Sequence, residues 1–432
     1  MPNADAPTDE AFNAATRRVL ERTNRLAACT DHDTGLSRPF CSPAMDDAHR
    51  LLSGWMTVGG MDVRVDAAGN LIGRRGADSA QRALLIGSHL DTVVNAGRYD
   101  GTLGVLLGLA VGELCEQAGL ALPFSLDVIG FSEEEGIRYQ TPYIGSRAIT
   151  GDFRSGDPLL ERLDNDGVRM ADALAAFGCD HRELSSAAYG ADEVVAFVEP
   201  HIEQGPVLEQ RALPLGVVRG VVGQTRAYFR FSGQTGHAGT VPMDARLDPM
   251  PVAARFVAAV EDTARSRAGT LATVGRLEVF PNVANVIPEE VGVRLDLRHA
   301  DDAQRESAFV DIHRAAMAIA AERGIECRLE WVEQQPATRC DPALAETLSE
   351  CVAAEGINPL TMTSGAGHDA VVMASRFPSA LLFLRCGGGI SHHPDESVTA
   401  EDIGVSLRVL WRFVASLAGR EPSAKATAAD PV

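Results

Sequence analysis

Four apolar runs in this 432-residue chain each end in residues that bind metals or move protons. Residues 83–90 (ALLIGSHL) end at His89, with Asp91 and Asp100 just beyond. Residues 124–131 (FSLDVIGF) run into Ser132-Glu133-Glu134-Glu135-Gly136. Residues 193–205 (EVVAFVEPHIEQG) carry His201 and Glu203, and 379–396 (SALLFLRCGGGISHHPDE) carry His392 and His393. Short continuous apolar runs fit buried strands. In open α/β sheets, ligands bind beyond the carboxyl ends of the strands. One strand-end histidine is more often a satisfied polar residue, and a lone EEE run is usually solvated charge. Their recurrence at four strand ends predicts an α/β sheet whose strand ends converge on one site.

The surrounding pattern supplies the helices. Residues 8–31, 43–60 and 101–119 read as helices, and 61–75 as a hairpin with Gly69-Asn70 near its turn. Gly104, Gly108 and Gly112 fall on one face of the third helix. Each costs roughly 1 kcal/mol of helix stability against Ala, so the stripe predicts a helix backbone lying close against a sheet. Residues 215–331 read differently: strands at 215–222 and 224–232, a helix at 248–266, strands at 271–280 and 290–298, a helix at 301–323 and a strand at 326–332. This β-β-α-β-β-α-β order predicts a ferredoxin-like α+β unit. The expected organisation is a larger α/β domain, a mixed sheet flanked by helices, in two parts (1–213 and 333–420). The inserted unit (214–332) interrupts it, and a disordered tail follows at 421–432.

Charge and cysteine usage exclude several classes. With 59 acidic against 39 basic residues, the net charge of −20 argues against nucleic-acid binding, which needs clustered Lys and Arg. None of the eight cysteines forms a C-x-x-C pair, which argues against a zinc ribbon or thioredoxin-like motif. The N-terminal MPNADAPTDEAF lacks the apolar segment of a secretory signal, and the apolar stretch 103–112 stops at Glu113, too short to span a bilayer. The expectation is a cytoplasmic protein without membrane partners.

Imidazole and carboxylate groups suit zinc or manganese. The candidate ligands are His89, Asp100, Glu135, His201 and His392. A two-metal site needs a shared ligand, which a carboxylate can be and an imidazole cannot. Asp100 is the best bridge, because Gly101 lets the backbone turn after it. Asp91, two residues after His89, is expected to orient His89 rather than bind metal. His32, His49, His181, His299 and His313 lack such context and read as structural.

The ordered motifs GSHLDTV (87–93), RYDG (98–101), SEEEG (132–136), HIEQGPVLE (201–209), GHAGTVPMDAR (236–246), PNVANVIP (281–288), LDLR (295–298), SGAGHDA (364–370) and GISHHPDE (389–396) span about 310 residues. Together they resemble the M20-type metallopeptidase superfamily, in its amidohydrolase branch. That branch includes allantoate amidohydrolases, N-carbamoyl-L-amino-acid hydrolases and ureidopropionases.

The resemblance implies a phosphorylase/hydrolase-like catalytic domain interrupted by a ferredoxin-like dimerisation and substrate-lid domain, and two divalent ions per subunit, Zn2+ or Mn2+. One would be held by His89, Asp100 and His201, the other by Asp100, Glu135 and His392. Glu134 falls at the general-base position. A slip of one residue in EEE would exchange the roles of Glu133, Glu134 and Glu135, and Gly136 anchors the register chosen. The Ser-His-x-Pro motif selects His392 over His393. His237, in the insert, is implied to stabilise the oxyanion, and in the family it acts in the partner subunit of a homodimer. Asn285 and Arg298 would bind a substrate carboxylate, with Gln224, Gly365 and His368 completing the pocket.

The chemistry of the residues is compatible with these roles. A bound metal lowers the pKa of water from about 15.7 toward 7, and a nearby carboxylate can take a proton and deliver it to a leaving nitrogen. Arginine presents a fork that matches a carboxylate, although Arg298 on the same strand face as Asp296 also reads as an internal ion pair.

SHLDTVVNAG, EEEGIRYQTPYIGSRAITG and GVVRGVVGQTR look most like allantoate amidohydrolases. The substrate implied is allantoate, cleaved in purine (allantoin) catabolism to ureidoglycine, ammonia and carbon dioxide. An N-carbamoyl-L-amino acid, with one carboxylate and one ureido group, is the alternative. A peptidase or aminoacylase fits the motifs less well. A metal-free binding or scaffold protein on the same fold is the reading from a different class.

Overall fold

The computed structural model describes residues 6–76 and 82–419. The tail expected at 421–432 lies outside the described residues. The chain divides into two compact units, one of residues 1–219, 340–362 and 366–432, the other of 220–339 and 363–365.

The first unit is built on a mixed sheet in the order Asp62–Val65, Leu71–Arg75, Ser125–Phe131, Ala83–His89, Val194–Ile202, Ser379–Leu384, Leu215–Val221. Its centre is parallel: Ala83–His89 pairs with both Ser125–Phe131 and Val194–Ile202, and the latter pairs with Ser379–Leu384. The flanking strands run antiparallel. Three central strands, Ala83–His89, Ser125–Phe131 and Ser379–Leu384, are buried along their whole length, as strands covered on both faces must be.

Alternate side chains serve opposite faces. Leu84 and Ile86 join Leu126 and Val128 in the core beneath the helices Asp9–Ala27, Thr102–Gln117 and Ala400–Ala418. Leu85, Ile129 and Phe197 face the other way, toward Ile149, Ala370 and Met373. The helix Thr102–Gln117 seats its glycine stripe on the sheet. A Cβ on Gly104 would overlap the Pro200 carbonyl oxygen, one on Gly108 would lie 3.1 Å from Ile86 Cγ2, and one on Gly112 would lie 2.6 Å from Met61 Cε. Because the obstacle at Gly104 is backbone, Gly104→Ala should cost about 1–3 kcal/mol through overpacking. Thermal unfolding checks this: the melting temperature should fall by several degrees, and an unchanged value would mean that the helix can lift without cost.

The second unit is a four-stranded antiparallel sheet in the order Glu326–Gln335, Gly223–Ser232, Glu290–His299, Leu271–Phe280. Two helices, Pro249–Arg265 and Asp302–Ala321, begin at the caps Asp248 and Asp301. They cover one face through Phe229, Phe231, Phe256, Val293 and Ile312. The other face carries Trp331, stacked on Tyr228 at a 6.5 Å ring separation.

One element departs from the expectation. The sequence pattern places 215–222 as the first strand of the insert, but Leu215–Val221 pairs with Ser379–Leu384 in the large sheet. Its nearly continuous burial suits a strand covered on both faces, which the insert's one-sided sheet does not offer. The insert's own order is therefore β-α-β-β-α-β. Among the described residues, no helix is long and apolar enough to cross a membrane.

Candidate metal centre

His89 closes its strand, His201 lies near the end of Val194–Ile202, Glu134 and Glu135 follow Ser125–Phe131, and His392 follows Ser379–Leu384. Parallel pairing of the four central strands brings these ends together. Asp100 arrives from the loop before Thr102–Gln117, where Gly101 turns with φ 61°.

Asp100 is the meeting point. Its Oδ1 lies 3.2 Å from His201 Nε2 and 3.7 Å from His89 Nε2. Its Oδ2 lies 3.2 Å from His392 Nε2, which is 3.4 Å from Glu135 Oε1. Two groups that could hold a metal ion share Asp100, His89–Asp100–His201 through one of its oxygens and Asp100–Glu135–His392 through the other; a further group, His89–Glu134–Glu135, does not include it. His89, Asp100 and His201 are buried, whereas the His392 side chain is 48% exposed.

The ring orientations are informative. His89 Nδ1 lies 2.9 Å from the Asp91 carbonyl and His201 Nδ1 lies 2.8 Å from the Ile202 carbonyl. A carbonyl only accepts, so each Nδ1 carries the proton and donates it. In the neutral rings, both Nε2 atoms then present lone pairs to one carboxylate oxygen and, at 3.4 Å, to each other. Such an arrangement needs a cation, either protons or a metal.

The electrostatics of the protein alone express the same need. Burial opposes the charged form of His89, but the hydrogen bond to Asp100 and the charges of Glu134, Asp91 and Asp100 hold its pKa well above the usual value. Burial opposes ionisation of Asp100 too, yet the three imidazoles hold its carboxyl well below the usual range. Glu135 is pushed up to about 7, chiefly by burial. Glu134 is pushed well up by burial and by the charges of Glu135, Asp369 and Asp91, with His89 acting in the opposite direction. A donor set of histidine nitrogens and carboxylate oxygens converging in a buried pocket fits divalent cations.

Asp91 orients His89 as expected and also does more, with its Oδ1 lying 3.7 Å from His89 Nδ1. Its backbone carbonyl orients His89, while its carboxylate accepts the Glu134 and Glu135 N–H groups at 2.9 and 3.0 Å. It thus holds the EEE turn, in which Glu133 has φ 47°. Glu133 points elsewhere: its carboxylate accepts from the Arg138 and Tyr139 N–H groups. His393 also turns away, its Nδ1 accepting from Asp395 N–H at 3.2 Å.

His368 is buried against His201 and Phe383, with ring separations of 4.5 and 5.5 Å. Burial holds its pKa well below the usual value, with the nearby His201 acting in the same direction. A further grouping of Glu199, His201 and His368 shares His201, whose ring nitrogens already face Ile202 and Asp100.

The remaining sequence-predicted residues belong to the second unit. His237 is exposed, and its Nδ1 accepts from Gly239 N–H at 3.0 Å. Its short strand pairs with Val286–Ile287, and Ala238 N–H donates to the Asn285 carbonyl at 3.0 Å, so His237 and Asn285 are neighbours. Arg298 pairs with Asp296 at 2.8 and 3.1 Å and donates to the Gly365 carbonyl at 2.6 Å. Gln224 donates to the same Asp296 at 2.7 Å.

Sequence reasoning missed three residues around Asp100. Glu199 is buried, accepting from Ser88 Oγ at 2.9 Å and from Ala370 N–H at 2.8 Å. Its spacing of two from His201 puts both on one strand face, a signal available in the sequence. Gln204, at φ 58°, donates its amide to both Asp100 oxygens at 3.1–3.2 Å. Glu396 accepts from the Asp100 N–H at 3.1 Å. The last two lie within the quoted motifs HIEQGPVLE and GISHHPDE, but nothing in those motifs alone showed that they reach Asp100.

Known proteins with similar sequences and structures place the chain in a family. The sequence profile of Peptidase family M20/M25/M40 matches residues 85–416. Allantoate deiminase of Arabidopsis thaliana is 37% identical, covering 92% of this chain and 82% of the relative. An N-carbamoyl-L-amino acid amidohydrolase of Geobacillus stearothermophilus is 38% identical, covering 87% of this chain and 91% of the relative. The crystal structure of a hydantoinase/carbamoylase family amidase from Burkholderia ambifaria superposes with TM-score 0.87 at 33% identity, covering 94% of this chain and 98% of that one. With that profile match and these relatives across most of its length, the chain belongs to Peptidase family M20/M25/M40.

Proposed function

We propose that the chain is a dinuclear-metal amidohydrolase that cleaves a ureido C–N bond of a small carboxylate, with allantoate as substrate. The observation that carries the reading is the convergence of three imidazoles and the Glu135 carboxylate on Asp100, which calls for a cation at each of its oxygens. His89, Asp100 and His201 would hold one ion, and Asp100, Glu135 and His392 the other. Bound there, zinc or manganese would supply activated water and polarise the ureido carbonyl.

The chain's own groups do the rest. Glu134, buried beside His89, takes the proton of the attacking water and returns it to the leaving nitrogen. Positive charge beside Glu134 acts as His89 does, lowering its pKa toward the base form. Arg298 and Asn285 are assigned to the substrate carboxylate, and Gln224, Gly365 and His368 to further substrate contacts. The Asp296 ion pair and the Gly365 carbonyl set the plane of the Arg298 guanidinium. Hydrolysis of one ureido group consumes one water and yields ureidoglycine, ammonia and carbon dioxide.

An N-carbamoyl-L-amino acid offers the same carboxylate and one ureido group, and relatives with either activity in their names match this chain. Steady-state rates on allantoate against a panel of N-carbamoyl-L-amino acids test the choice. The reading expects the highest kcat/KM on allantoate, and a carbamoyl amino acid hydrolysed faster would replace it. All eight cysteines are free thiols, which supports a cytoplasmic setting.

The insert carries His237 at an exposed position, and we assign it to the oxyanion of a partner's site in a homodimer. Mixing inactive His237→Ala with inactive Glu134→Gln subunits provides the test. In a mixed dimer one site receives both lesions and the other neither. Activity should recover toward about a quarter of wild type, since about half the dimers are mixed and each has one intact site. No recovery after verified subunit exchange would place His237 in its own chain's site.

A further inference from the structure

The motif SHHPDE (391–396) contributes more than His392. Its last residue, Glu396, is 3% exposed and lies across the loop that carries Asp100. Glu396 Oε1 accepts from the N–H groups of Tyr99 at 2.7 Å and Asp100 at 3.1 Å. Glu396 Oε2 lies 3.1 Å from Ser391 Oγ, and that hydroxyl is 3.3 Å from Asp100 Oδ2. Ser391 immediately precedes His392, and Glu396 N–H donates to the His393 carbonyl at 3.1 Å, closing the turn. One carboxylate therefore holds the backbone of Asp100 and the residue beside His392, two loops almost 300 positions apart in sequence. Those are the loops whose side chains meet at the 3.2 Å contact between Asp100 and His392.

The opposing loop is shaped to receive it. A Cβ on Gly97 would overlap the Glu396 carboxyl group and lie 2.5 Å from its Cβ. Glycine at 97 is thus what lets Glu396 reach the two amides. A buried acid that only satisfied loop amides would need neither the Ser391 contact nor a seat between two converging site residues. By contrast, His89 and His201 are oriented by the Asp91 and Ile202 carbonyls, independently of Glu396.

We infer that Glu396 is a positioning residue that sets the Asp100–His392 separation, and so the affinity of the more exposed Asp100–Glu135–His392 position for its divalent cation. The inference rests on the proposed dinuclear reading. It assigns Gly97 a matching role, making room for the clamp.

Stepwise calorimetric titration of the chelator-stripped full chain with Mn2+ tests it. Wild type should show two binding steps. Glu396→Ala should weaken one of them roughly 10–100-fold, the range for loss of a group that supports a ligand, and leave the other nearly unchanged. Glu396→Gln retains an oxygen for the two amides and should recover part of the loss. Gly97→Ala should reproduce the Glu396→Ala isotherm, because its methyl displaces the same carboxylate. Glu396→Gly also removes the Cβ that alanine would keep 2.5 Å from the new methyl, so in the double variant with it the clash is gone and Gly97→Ala should add nothing to Glu396→Gly. Two wild-type steps persisting in Glu396→Ala would overturn the positioning role alone. Fully multiplicative losses in the double variant would overturn the pairing of Gly97 with Glu396. A wild-type protein without two steps would overturn the dinuclear reading and this inference with it.

Discussion

Replacing Glu134 by Gln should lower kcat by roughly 10²–10⁴-fold while leaving the metal content unchanged. Gln keeps the size of Glu but cannot take a proton from water. The turn that presents it should survive, because it is held through backbone: the Glu134 and Glu135 N–H groups donate to the Asp91 carboxylate. Glu134 groups with His89 and Glu135 but lies outside the two groups that share Asp100, whereas Glu135 belongs to one of them, 3.4 Å from His392 Nε2. Glu135→Gln is therefore the contrasting variant, expected to lose an ion before it loses chemistry. Metal quantitation beside steady-state rates separates the two. If Glu134→Gln loses metal and Glu135→Gln keeps it, the two neighbouring residues have exchanged roles.

Asp100→Ala should abolish turnover by emptying both positions. Its Oδ1 faces His89 and His201, and its Oδ2 faces His392. Without it neither group retains three ligands, and the Nε2 lone pairs of His89 and His201 lose the carboxylate that favours a cation between them. His392→Ala removes a ligand from one group only and should mainly weaken a single ion. Elemental analysis after gel filtration reads the difference directly. Two ions per chain in the Asp100→Ala protein would rule out the bridging assignment.

The site's main residues were legible because strand burial and strand-end chemistry coincide along the chain. Residues such as Leu84, Leu85 and Ile86 must be apolar to lie in a sheet covered on both faces, so the polar residue that ends the run stands out. The glycine stripe of Thr102–Gln117 was legible for a related reason: repeated loss of helix propensity needs a packing explanation, here the approach to Pro200 and Ile86.

What the sequence concealed acts through backbone or across long separations. That Asp91 orients His89 was expected, but it does so through its carbonyl, a group every residue has, while its carboxylate also holds the next strand's turn. Gln204 and Glu396 reach Asp100 from positions 104 and 296 residues away. The strand Leu215–Val221 has the pattern of either unit, and only its partner, Ser379–Leu384, decides which sheet it joins.

The most direct test of the central claim is ammonia release from allantoate by chelator-stripped protein, titrated with Mn2+ or Zn2+. The account predicts no release without metal, and activity that saturates at two equivalents per chain. Full turnover by the metal-free protein, or saturation at one equivalent, would contradict it.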